Sequence, residues 1–406
     1  MSNYDVIIIG AGPSGLMAAN ILEKRGLEYL IFDKNKAAGR KLLITGGTRC
    51  NVTNIFNPKE FIDHLKIKHK RFLFSSLNSF GTKEIKEFFE DKGVQLNLEK
   101  EYQYFPKSSK SSDILDALLE DIDYKKLILN TTVKDITYED NHYIVETISK
   151  DYKAKNVIIS TGSKSYPKTG STGDGLLFGK NLGHNFAPFY PAETHVYSDF
   201  VKKNKNDLQG LSLLHSEIQI EGNKKIYSGG LLFTHFGLSG PLIQNISELI
   251  YLDKLSKDTN LLIKLTDKNE SQITELFHLK ENQKARVVRI LEKLTIKRLA
   301  KFILNHLQID ETKLVASTSK KQLQLIIDSL LHFTIPITKV ESISNAFVNG
   351  GGIWTNEINP STMESKIKEG LYFTGEVLDL HGPIGGFNIT IALSTGYTAA
   401  SNIRRD

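Results

Sequence analysis

Cysteine is almost absent from this sequence of 406 residues, which contains a single one, Cys50. One cysteine excludes an internal disulfide, a CxxC redox pair and a zinc site built from thiolates. Such scarcity is typical of proteins that work under reducing conditions. We therefore expect a cytoplasmic protein.

Long apolar runs are missing as well. No uninterrupted stretch approaches the ~20 residues that a membrane-spanning helix needs, and no basic segment precedes the first apolar run, which begins after Asp5. We therefore expect no membrane association and no secretory signal. The sequence also lacks internal repeats and low-complexity stretches. With 40% hydrophobic residues the chain can bury a sizeable core, and its length predicts two or three domains.

The net charge of +6 is unevenly distributed, since residues 251–330 hold 15 Lys and Arg against 10 Asp and Glu. Within this segment, residues 280–303 have the pattern of a basic amphipathic helix. Aromatic residues do not alternate with its cations, which argues against a surface that stacks on RNA bases. We interpret the run as the solvated face of a helical region and do not favour a nucleic-acid partner. Its apolar positions are Val287, Ile290, Leu291, Leu294 and Leu299.

The chain opens with a strand, a glycine turn and a helix. The continuous apolar run at residues 6–9 predicts a strand that is buried on both faces. A GxGxxG motif follows, and residues 14–25 have the apolar spacing of a helix that stops at Gly26. A second apolar strand at residues 29–32 ends in Asp33. This order of elements is typical of a dinucleotide-binding unit.

Each part of this unit has a physical role. Gly10, Gly12 and Gly15 permit the tight turn, the close approach of a pyrophosphate and the close packing of helix on strand. The helix N-terminus offers N–H groups and a partial positive charge to phosphates. Asp33 is placed to accept hydrogen bonds from a ribose hydroxyl, and its charge disfavours tightly bound NADP. The motif alone does not distinguish NAD from FAD.

A second glycine element near the other end of the chain favours FAD. The apolar residues 371–373 lead to Gly375 and Glu376, and "GPIGGFN" (382–388) then opens a helix that runs to about Asn402. A helix N-terminus that points at a flavin ring stabilises negative charge there, which an NAD dehydrogenase does not require. The likeness of the two ends suggests that one nucleotide domain is assembled from both.

We therefore predict an α/β protein with a Rossmann-type FAD-binding domain that is split in sequence, an inserted β-rich domain and a helical third domain. The predicted boundaries follow changes in the pattern. Residues 1–186 and 335–406 form the FAD-binding domain, residues 187–265 the β-rich substrate domain, and residues 266–334 the helical domain.

A third glycine-rich element is "STGSKSYPKTGSTGDG" (160–175), where Thr161 and Gly162 would let the backbone pass close beneath the cofactor. Ser165, Tyr166 and Lys168 are equally well explained as substrate-side groups or as loop residues. No second GxGxxG follows a strand after residue 26, which, with the missing CxxC, excludes a disulfide reductase of the two-dinucleotide type. NADH or NADPH, if it is the reductant, would dock transiently.

Four ordered motifs resemble one family. "GRKLLITGGTRCNVTN" (39–54), the 160–175 element, "LLFTHFGLSGP" (231–241) and "NPSTMESKIKEGLYFTGEVLDLHGPIGGFN" (359–388) are similar to those of bacterial three-domain flavoproteins. These are NAD(P)/FAD-dependent or aminoacetone oxidase-like oxidoreductases, and they include bile-acid double-bond reductases. The likeness runs from residue 1 to about residue 405. Thr48 stands where the family pattern has a third glycine.

The resemblance implies which residues hold FAD. The first glycine turn and Asp33 would bind its ADP half, the 39–54 motif would line the stretch from diphosphate to flavin, and Val133 would contact adenine. The remaining residues would cover the ribityl chain and the isoalloxazine ring. The predicted cofactor-binding residues are Gly10, Gly12, Pro13, Ser14, Gly15, Asp33, Lys34, Arg40, Lys41, Arg49, Asn51, Val133, Thr161, Gly162, Gly375, Glu376, Gly386, Phe387, Asn388 and Ile389.

No catalytic residue and no metal ligand is assigned from the sequence. His235 and His381 lie near glycine turns and have the chemistry of an acid or base, but for each we favour a structural hydrogen bond. Cys50 lies within the 39–54 motif, and we interpret it as a packed thiol without a redox partner.

The sequence thus predicts an FAD-dependent oxidoreductase that acts on a small molecule. The reaction that we favour is hydride transfer from a small, aminoacetone-like amine to flavin, with electrons passed to oxygen. The first alternative is an NAD(P)H-dependent reductase of an activated C=C bond. Alternatives of another class are an RNA-associated flavoprotein and a redox-sensing binder without turnover. The oligomeric state cannot be read from the sequence.

Overall fold

The computed structural model describes residues 3–99, 102–253 and 259–404 of the chain. The chain divides into two compact units. Unit 1 comprises Met1–Tyr190 and Ile343–Asp406, and unit 2 comprises Pro191–Ser342. Each unit has its own hydrophobic core.

The described strands are short and spread over the whole chain. They are β1 (Asn3–Ile9), β2 (Tyr29–Phe32), β3 (Thr53–Asn54), β4 (Leu96–Glu99), β5 (Gln103–Pro106), β6 (Leu127–Ile128), β7 (Val133–Glu139), β8 (His142–Thr147), β9 (Asp151–Ile159), β10 (Phe186–Glu193), β11 (Val196–Tyr197), β12 (Ser212–Ile220), β13 (Ile226–Phe233), β14 (Gly237–Ser239), β15 (Thr259–Lys264), β16 (Phe333–Ile337), β17 (Lys339–Val340), β18 (Val348–Ile353) and β19 (Leu371–Phe373).

The described α-helices alternate with these strands in unit 1 and cluster late in unit 2. They are α1 (Pro13–Arg25), α2 (Pro58–His64), α3 (Phe74–Ser79), α4 (Thr82–Asp91), α5 (Ser111–Leu119), α6 (Asp174–Asn181), α7 (Asp199–Lys203), α8 (Lys205–Leu208), α9 (Pro241–Asp253), α10 (Glu270–His278), α11 (Val287–Leu291), α12 (Lys297–His306), α13 (Lys320–Leu331) and α14 (Phe387–Asn402).

A mixed sheet forms the centre of unit 1, with the strand order β6-β2-β1-β9-β8-β7. Strands β6, β2, β1 and β9 pair in parallel, whereas β7, β8 and β9 pair antiparallel. The apolar strand and helix patterns at the start of the chain are confirmed as β1, α1 and β2. Their residues are buried because α1 covers one face of a parallel sheet.

The far end of the chain completes the same sheet. Strand β19 pairs in parallel with β9, so that Ile159 is flanked by Ile9 on one side and Phe373 on the other. The antiparallel partner β8 pairs with the earlier residues of β9, so β8 and β19 share one edge of that strand in succession. The predicted split of the Rossmann-type domain is confirmed.

Helix α14 packs along α1. The two backbones approach so closely that a Cβ on Gly396 would lie 2.2 Å from the carbonyl oxygen of Ser14. The Arg25 guanidinium ties the ends of both helices together by donating to the carbonyl oxygens of Ala400 and, over 2.6 Å, of Ile403. Small residues in α14 therefore serve helix–helix packing.

Unit 2 is built on an antiparallel sheet with the strand order β16-β15-β12-β13-β14-β11-β17. Residues 221–225 connect β12 to β13 as a hairpin. Helices α10 to α13 share one hydrophobic core with these strands. The chain has two compact units. The division into three domains, with boundaries at residues 186, 265 and 334, stays a prediction. Among the described residues, no helix has the length and apolarity that crossing a bilayer requires.

Candidate functional site

The N-terminus of α1 lies against the carboxyl ends of β1 and β9. A Cβ on Gly15 would lie 2.0 Å from the Gly10 carbonyl oxygen, and one on Gly10, whose φ is +105°, would lie 2.5 Å from that of Ser160. These two glycines are therefore required by backbone packing. Gly12 differs, because a Cβ there would meet nothing within 4 Å. Gly12 caps α1 without any side-chain hydrogen bond, which leaves the helix N-terminus able to bind an anion.

Asp33 follows β2 and lies beside this helix start. The Ala11 N–H donates to Asp33 Oδ2 over 2.9 Å, and the Asn35 N–H donates to Oδ1 over 2.8 Å. The carboxylate is thereby fixed between the glycine turn and the end of β2, and it remains partly exposed. A fixed, partly exposed carboxylate at this place can accept hydrogen bonds from a ribose.

A polar cluster joins three distant segments. Lys41 Nζ lies 2.7 Å from Glu376 Oε2, to which Ser163 Oγ also donates over 2.9 Å. Burial raises the pKa of Glu376, but the Lys41 charge and these hydrogen bonds outweigh it and hold the pKa below its usual range. Glu376 is therefore a carboxylate at neutral pH. The cluster fixes the 39–54 motif, the 160–175 element and the C-terminal segment to one another.

The start of α14 is anchored by the 39–54 motif. Asn51 accepts a hydrogen bond from the Gly386 N–H over 3.0 Å and donates to the Thr53 carbonyl oxygen over 3.2 Å. Thr53 and Thr390 share a buried hydroxyl–hydroxyl bond of 2.8 Å. Gly386 has a φ of +81°, and a Cβ there would lie 2.5 Å from the Thr53 carbonyl oxygen. The glycine at the start of α14 is therefore required by this close contact.

Asn388 closes the turn that leads into α14. Its side chain accepts from the Gly382 N–H over 2.9 Å and donates to the Gly382 carbonyl oxygen over 2.8 Å. Phe387 points the other way, into an aromatic cluster with Phe56 and Phe61, and is 1% exposed. Phe387 is therefore a core side chain, and only its backbone remains for a ligand.

Two buried hydroxyls near the helix start have no partner within the described chain. These are Ser14 Oγ and Thr161 Oγ1. Ser14 faces Gly375, at which a Cβ would lie 3.2 Å from Ser14 Cβ. Buried hydroxyls that lack a partner inside the protein are satisfied when a polar ligand binds. The open space at Gly12, the uncapped helix and these two hydroxyls fit a phosphate-bearing cofactor.

Other predicted residues are engaged with protein groups. The Lys34 ammonium pairs with Asp174, and Arg40 Nη1 donates to Asn35 Oδ1 over 2.8 Å. Arg49 lies 2.5 Å from Glu99 Oε1, with its guanidinium over the Phe105 ring. Val133 is buried at the start of β7, Pro13 is the first residue of α1, Gly162 has a φ of +73°, and Ile389 is half-buried.

The structure thus brings two groups of predicted residues together. One surrounds the start of α1, and the other links Lys41 and Asn51 to the segment that begins α14. The side chains of Lys34, Arg40 and Arg49 pair instead with Asp174, Asn35 and Glu99. Contact of all these residues with the cofactor stays a prediction.

Sequence reasoning missed three positioning residues. Ser163 bridges Lys41 and Glu376, Asn35 holds both Asp33 and Arg40, and Thr395 Oγ1 accepts from the Gly375 N–H over 2.9 Å. Ser163 directly follows Thr161 and Gly162, and that proximity was a usable signal. Asn35 and Thr395 carry no local signal, because their roles depend on tertiary contacts.

Cys50 is fully buried. Burial raises the pKa of its thiol to about 12, against a weaker opposing effect of a hydrogen bond with Thr45. A thiol of this kind is neutral at physiological pH and unreactive. Packing is therefore the role that the geometry supports. Its neighbour Thr48 adopts a φ of +70°, the left-handed conformation for which a glycine is the natural choice.

The remaining candidates have different surroundings. His381 is 6% exposed, and its ring meets that of Tyr190 edge to face with a centroid distance of 6.4 Å. His235 belongs to unit 2, is exposed and packs edge to face on Phe236. Ser165 is buried, whereas Lys168 is exposed. Burial raises the pKa of Tyr166.

The fold and the glycine turn define the class, a Rossmann-type nucleotide-binding protein with a split domain. The family model described as "HI0933-like protein Rossmann domain" matches residues 4–402. The chain therefore belongs to the HI0933-like family. It is an FAD-dependent oxidoreductase, as the resemblance had predicted.

Several relatives match this chain essentially end to end. A "Ribosomal RNA dihydrouridine synthase" of Haemophilus influenzae is 29% identical over 416 residues, which cover 100% of both chains. A "3-dehydro-bile acid delta(4,6)-reductase" of Clostridium scindens is 27% identical and covers 97% of both chains.

A solved structure shares the fold. The 3-ketosteroid-delta4-(5alpha)-dehydrogenase of Rhodococcus jostii aligns with a TM-score of 0.55 at 12% identity, covering 100% of this chain and 97% of that one. At this identity the likeness concerns the fold alone.

Proposed function

We propose that the protein reduces a C=C bond conjugated to a carbonyl group, and that its substrate is a uracil base in ribosomal RNA. One observation carries the proposal. The relatives from Haemophilus influenzae and Clostridium scindens, which match nearly the whole chain, have names that describe a single chemistry on different molecules. Dihydrouridine differs from uridine by the reduced ring double bond beside a carbonyl group, and the bile-acid reductase also acts on a C=C bond.

RNA is preferred over a steroid because of charge. The net charge of +6 suits a polyanion, whereas a steroid makes no demand on it. This departs from the sequence-based prediction of a small-molecule substrate without nucleic acid, which no observation here tests. The oxidation of an aminoacetone-like amine likewise stays a prediction, and no comparison supports it.

The reaction adds a hydride to the carbon far from the carbonyl group and a proton to the carbon beside it. FAD, when bound and reduced by NADH or NADPH as transient reductant, would supply the hydride. The start of α1, Asp33, Ser14 and Thr161 would hold the nucleotide part of FAD. The Lys41–Glu376–Ser163 cluster and the Asn51–Gly386 bond keep the start of α14 in place. The positive end of the α14 dipole would stabilise negative charge near it.

His381 directly precedes the turn that leads into α14, and Tyr190 is in ring contact with it. Their rings make the edge contact described above, and both belong to unit 1. Either hydroxyl or imidazole has the chemistry to supply the proton. Both positions are therefore the first to vary once turnover is established.

The test is an anaerobic reaction of the FAD-loaded protein. NADH or NADPH should bleach the flavin absorbance, and deproteinised bacterial ribosomal RNA lacking dihydrouridine should restore it, with dihydrouridine detected by nucleoside mass spectrometry. A steroid enone serves as the parallel substrate. The proposal would be wrong if NADH and NADPH left the flavin absorbance unchanged while aminoacetone bleached it and released peroxide in air. That result would support the amine oxidase.

A further inference from the structure

Unit 2 carries a dense cluster of exposed cations outside the site. Residues 280–301 contain 8 Lys and Arg against 2 Asp and Glu. The apolar side chains between these cations, such as Ile290 and Leu299, are buried in the unit 2 core, so helices α11 and α12 direct the cations outward. We call the following exposed residues the basic face: Arg286, Arg289, Lys293, Lys297, Arg298 and Lys301.

The predicted helix over residues 280–303 is two shorter helices: Arg289 lies in α11, Arg286 and Lys293 flank it, and the other three cations lie in α12. Arg286, Arg289 and Lys293 follow each other at intervals of three and four residues, as do Lys297 and Lys301. The charge continues on α8, which packs against α12 and exposes Lys205. The basic face is therefore carried by elements that pack against one another, since α12 contacts both α11 and α8.

Little of this charge is neutralised by the protein. Arg289 pairs with Glu292 at 2.9 Å and Lys301 with Glu311 at 3.5 Å, and the cation of each pair is exposed. Ion pairs that solvent reaches are weak. Within the three described ranges, no ion pair engages Arg286, Lys293 or Lys297. Repulsion among such cations opposes folding, and a polyanion that binds them relieves it.

The face has cations but no exposed aromatic ring among them. Phe302, the one aromatic residue of α12, is 5% exposed and lies in the core. Without rings there is no surface for stacking on unpaired bases. Contacts would go to phosphates, which position a nucleic acid without reading its sequence. A folded RNA with a regular backbone suits such a face.

A membrane surface is a poorer match. An interfacial helix must bury its apolar side in lipid. Here that side is already occupied, because Val287, Leu291 and Leu294 lie in the unit 2 core. Only electrostatic attraction to anionic lipid would remain.

We propose that the basic face binds the sugar–phosphate backbone of the RNA substrate. This rests on the proposed function, since it assumes that the substrate is part of an RNA. The face would contribute affinity for RNA, while recognition of the uracil base belongs to the flavin site.

The experiment compares two triple variants of the FAD-loaded full chain. The face variant is R289Q/K293Q/K297Q, and the matched control is K224Q/K320Q/K321Q, which removes the same charge from other exposed positions of unit 2. Binding of a labelled RNA hairpin is measured across a range of salt concentrations. A vesicle of phosphatidylglycerol is the second probe, and dihydrouridine formation is measured in parallel.

For the face variant we expect at least tenfold weaker hairpin binding, and a log–log salt dependence that is shallower by about 2 to 3. The control should bind as the unmodified protein does. Flavin content and bleaching by NADPH should be equal in all three proteins, which shows that the variants are folded.

The outcomes separate the two proposals. If the face variant loses hairpin binding but the unmodified protein forms no dihydrouridine, RNA binding by the basic face is supported and the proposed reaction is refuted. If the unmodified protein forms dihydrouridine and both variants bind the hairpin equally well, RNA binding by the basic face is refuted and the proposed reaction is supported. Vesicle binding that is lost in the face variant, with hairpin binding retained, overturns the face in favour of anionic lipid.

Discussion

At the scale of single residues, the glycines of the first turn have separate roles. Gly10 and Gly15 leave no space for a Cβ because backbone atoms lie too close, whereas the space at Gly12 is open. The first two are thus required by the fold alone. A side chain at Gly12 would meet no protein atom, and we predict that it would meet the pyrophosphate of bound FAD.

We therefore expect Gly12→Ala to separate stability from cofactor binding. The φ of Gly12 is −84°, which alanine adopts without strain, so the melting temperature of the apoprotein should be unchanged. FAD affinity should fall at least tenfold, as titration of apoprotein by flavin fluorescence would measure. Gly230→Ala, another position where a Cβ meets no close neighbour, is the matched control. If Gly12→Ala left the FAD affinity unchanged, the prediction that the pyrophosphate binds at this turn would be wrong.

A buried carboxylate in unit 2 makes stability depend on pH. Glu341 Oε2 accepts from the Tyr197 hydroxyl over 2.6 Å and lies 2.8 Å from His195 Nε2. Burial raises the pKa of Glu341, but hydrogen bonds from Tyr197, Ser342 and His195 outweigh it and lower the pKa to about 2. Because the folded pKa lies below the unfolded value, the stabilisation is fully present above about pH 4.5 and is lost as the pH falls toward 2.

Glu341→Gln should lower the free energy of unfolding at pH 7 by about 1 to 3 kcal/mol, because a charged acceptor is lost from a buried network. It should also flatten the fall in stability between about pH 4.5 and pH 2, the interval between the unfolded and the folded pKa of this carboxyl group. Urea unfolding at several pH values measures both effects. Glu275→Gln, at an exposed position of the same unit, should change neither. An equal acid slope in Glu341→Gln and the unmodified protein would contradict this assignment.

At the scale of elements, the contact between α1 and α14 couples the two ends of the chain. Gly396→Ala places a methyl group on the carbonyl oxygen of Ser14, at 2.2 Å, so the helices must separate. We expect a loss of about 1 to 3 kcal/mol of stability, typical of overpacking. The loss of FAD should accompany it, because Ser14 belongs to the helix start.

Thermal unfolding monitored by circular dichroism, together with the flavin absorbance of the purified protein, tests this. Ser401→Ala, a half-buried position of the same helix, is the control and should retain both properties. A Gly396→Ala protein with full stability would show that the helices have room to adjust.

Sequence patterns predict local elements well, but they do not predict contacts between residues that are far apart in the chain. Strands β1 and β2 and helices α1 and α14 are readable, because each is a continuous local pattern with glycine boundaries. The pairing of β19 with β9 was inferred only from the likeness of the two ends. The bond between Lys41 and Glu376 spans 335 residues, and no local pattern records it. The same holds for Asn51 and Gly386, since such partners are chosen by tertiary packing.

At the scale of the whole molecule, the two units have separate cores. Unit 2 is continuous in sequence, whereas unit 1 requires both ends of the chain. Residues 191–342 alone should therefore fold, with a cooperative urea transition and dispersed amide resonances. A chain that stops at residue 369 lacks β19 and α14, so it should bind no FAD while its unit 2 remains folded. Flavin retention by the shortened chain would show that the last strand and helix are dispensable.

The position of β19 on β9 also constrains the order of events in the cell. A ribosome delivers residues 371–402 after everything else in the sheet, so a nascent chain holds β9 with half of one edge unpaired. Cofactor capture then has to follow translation of that segment. Every prematurely terminated product would be a colourless protein with an unpaired strand exposed to aggregation.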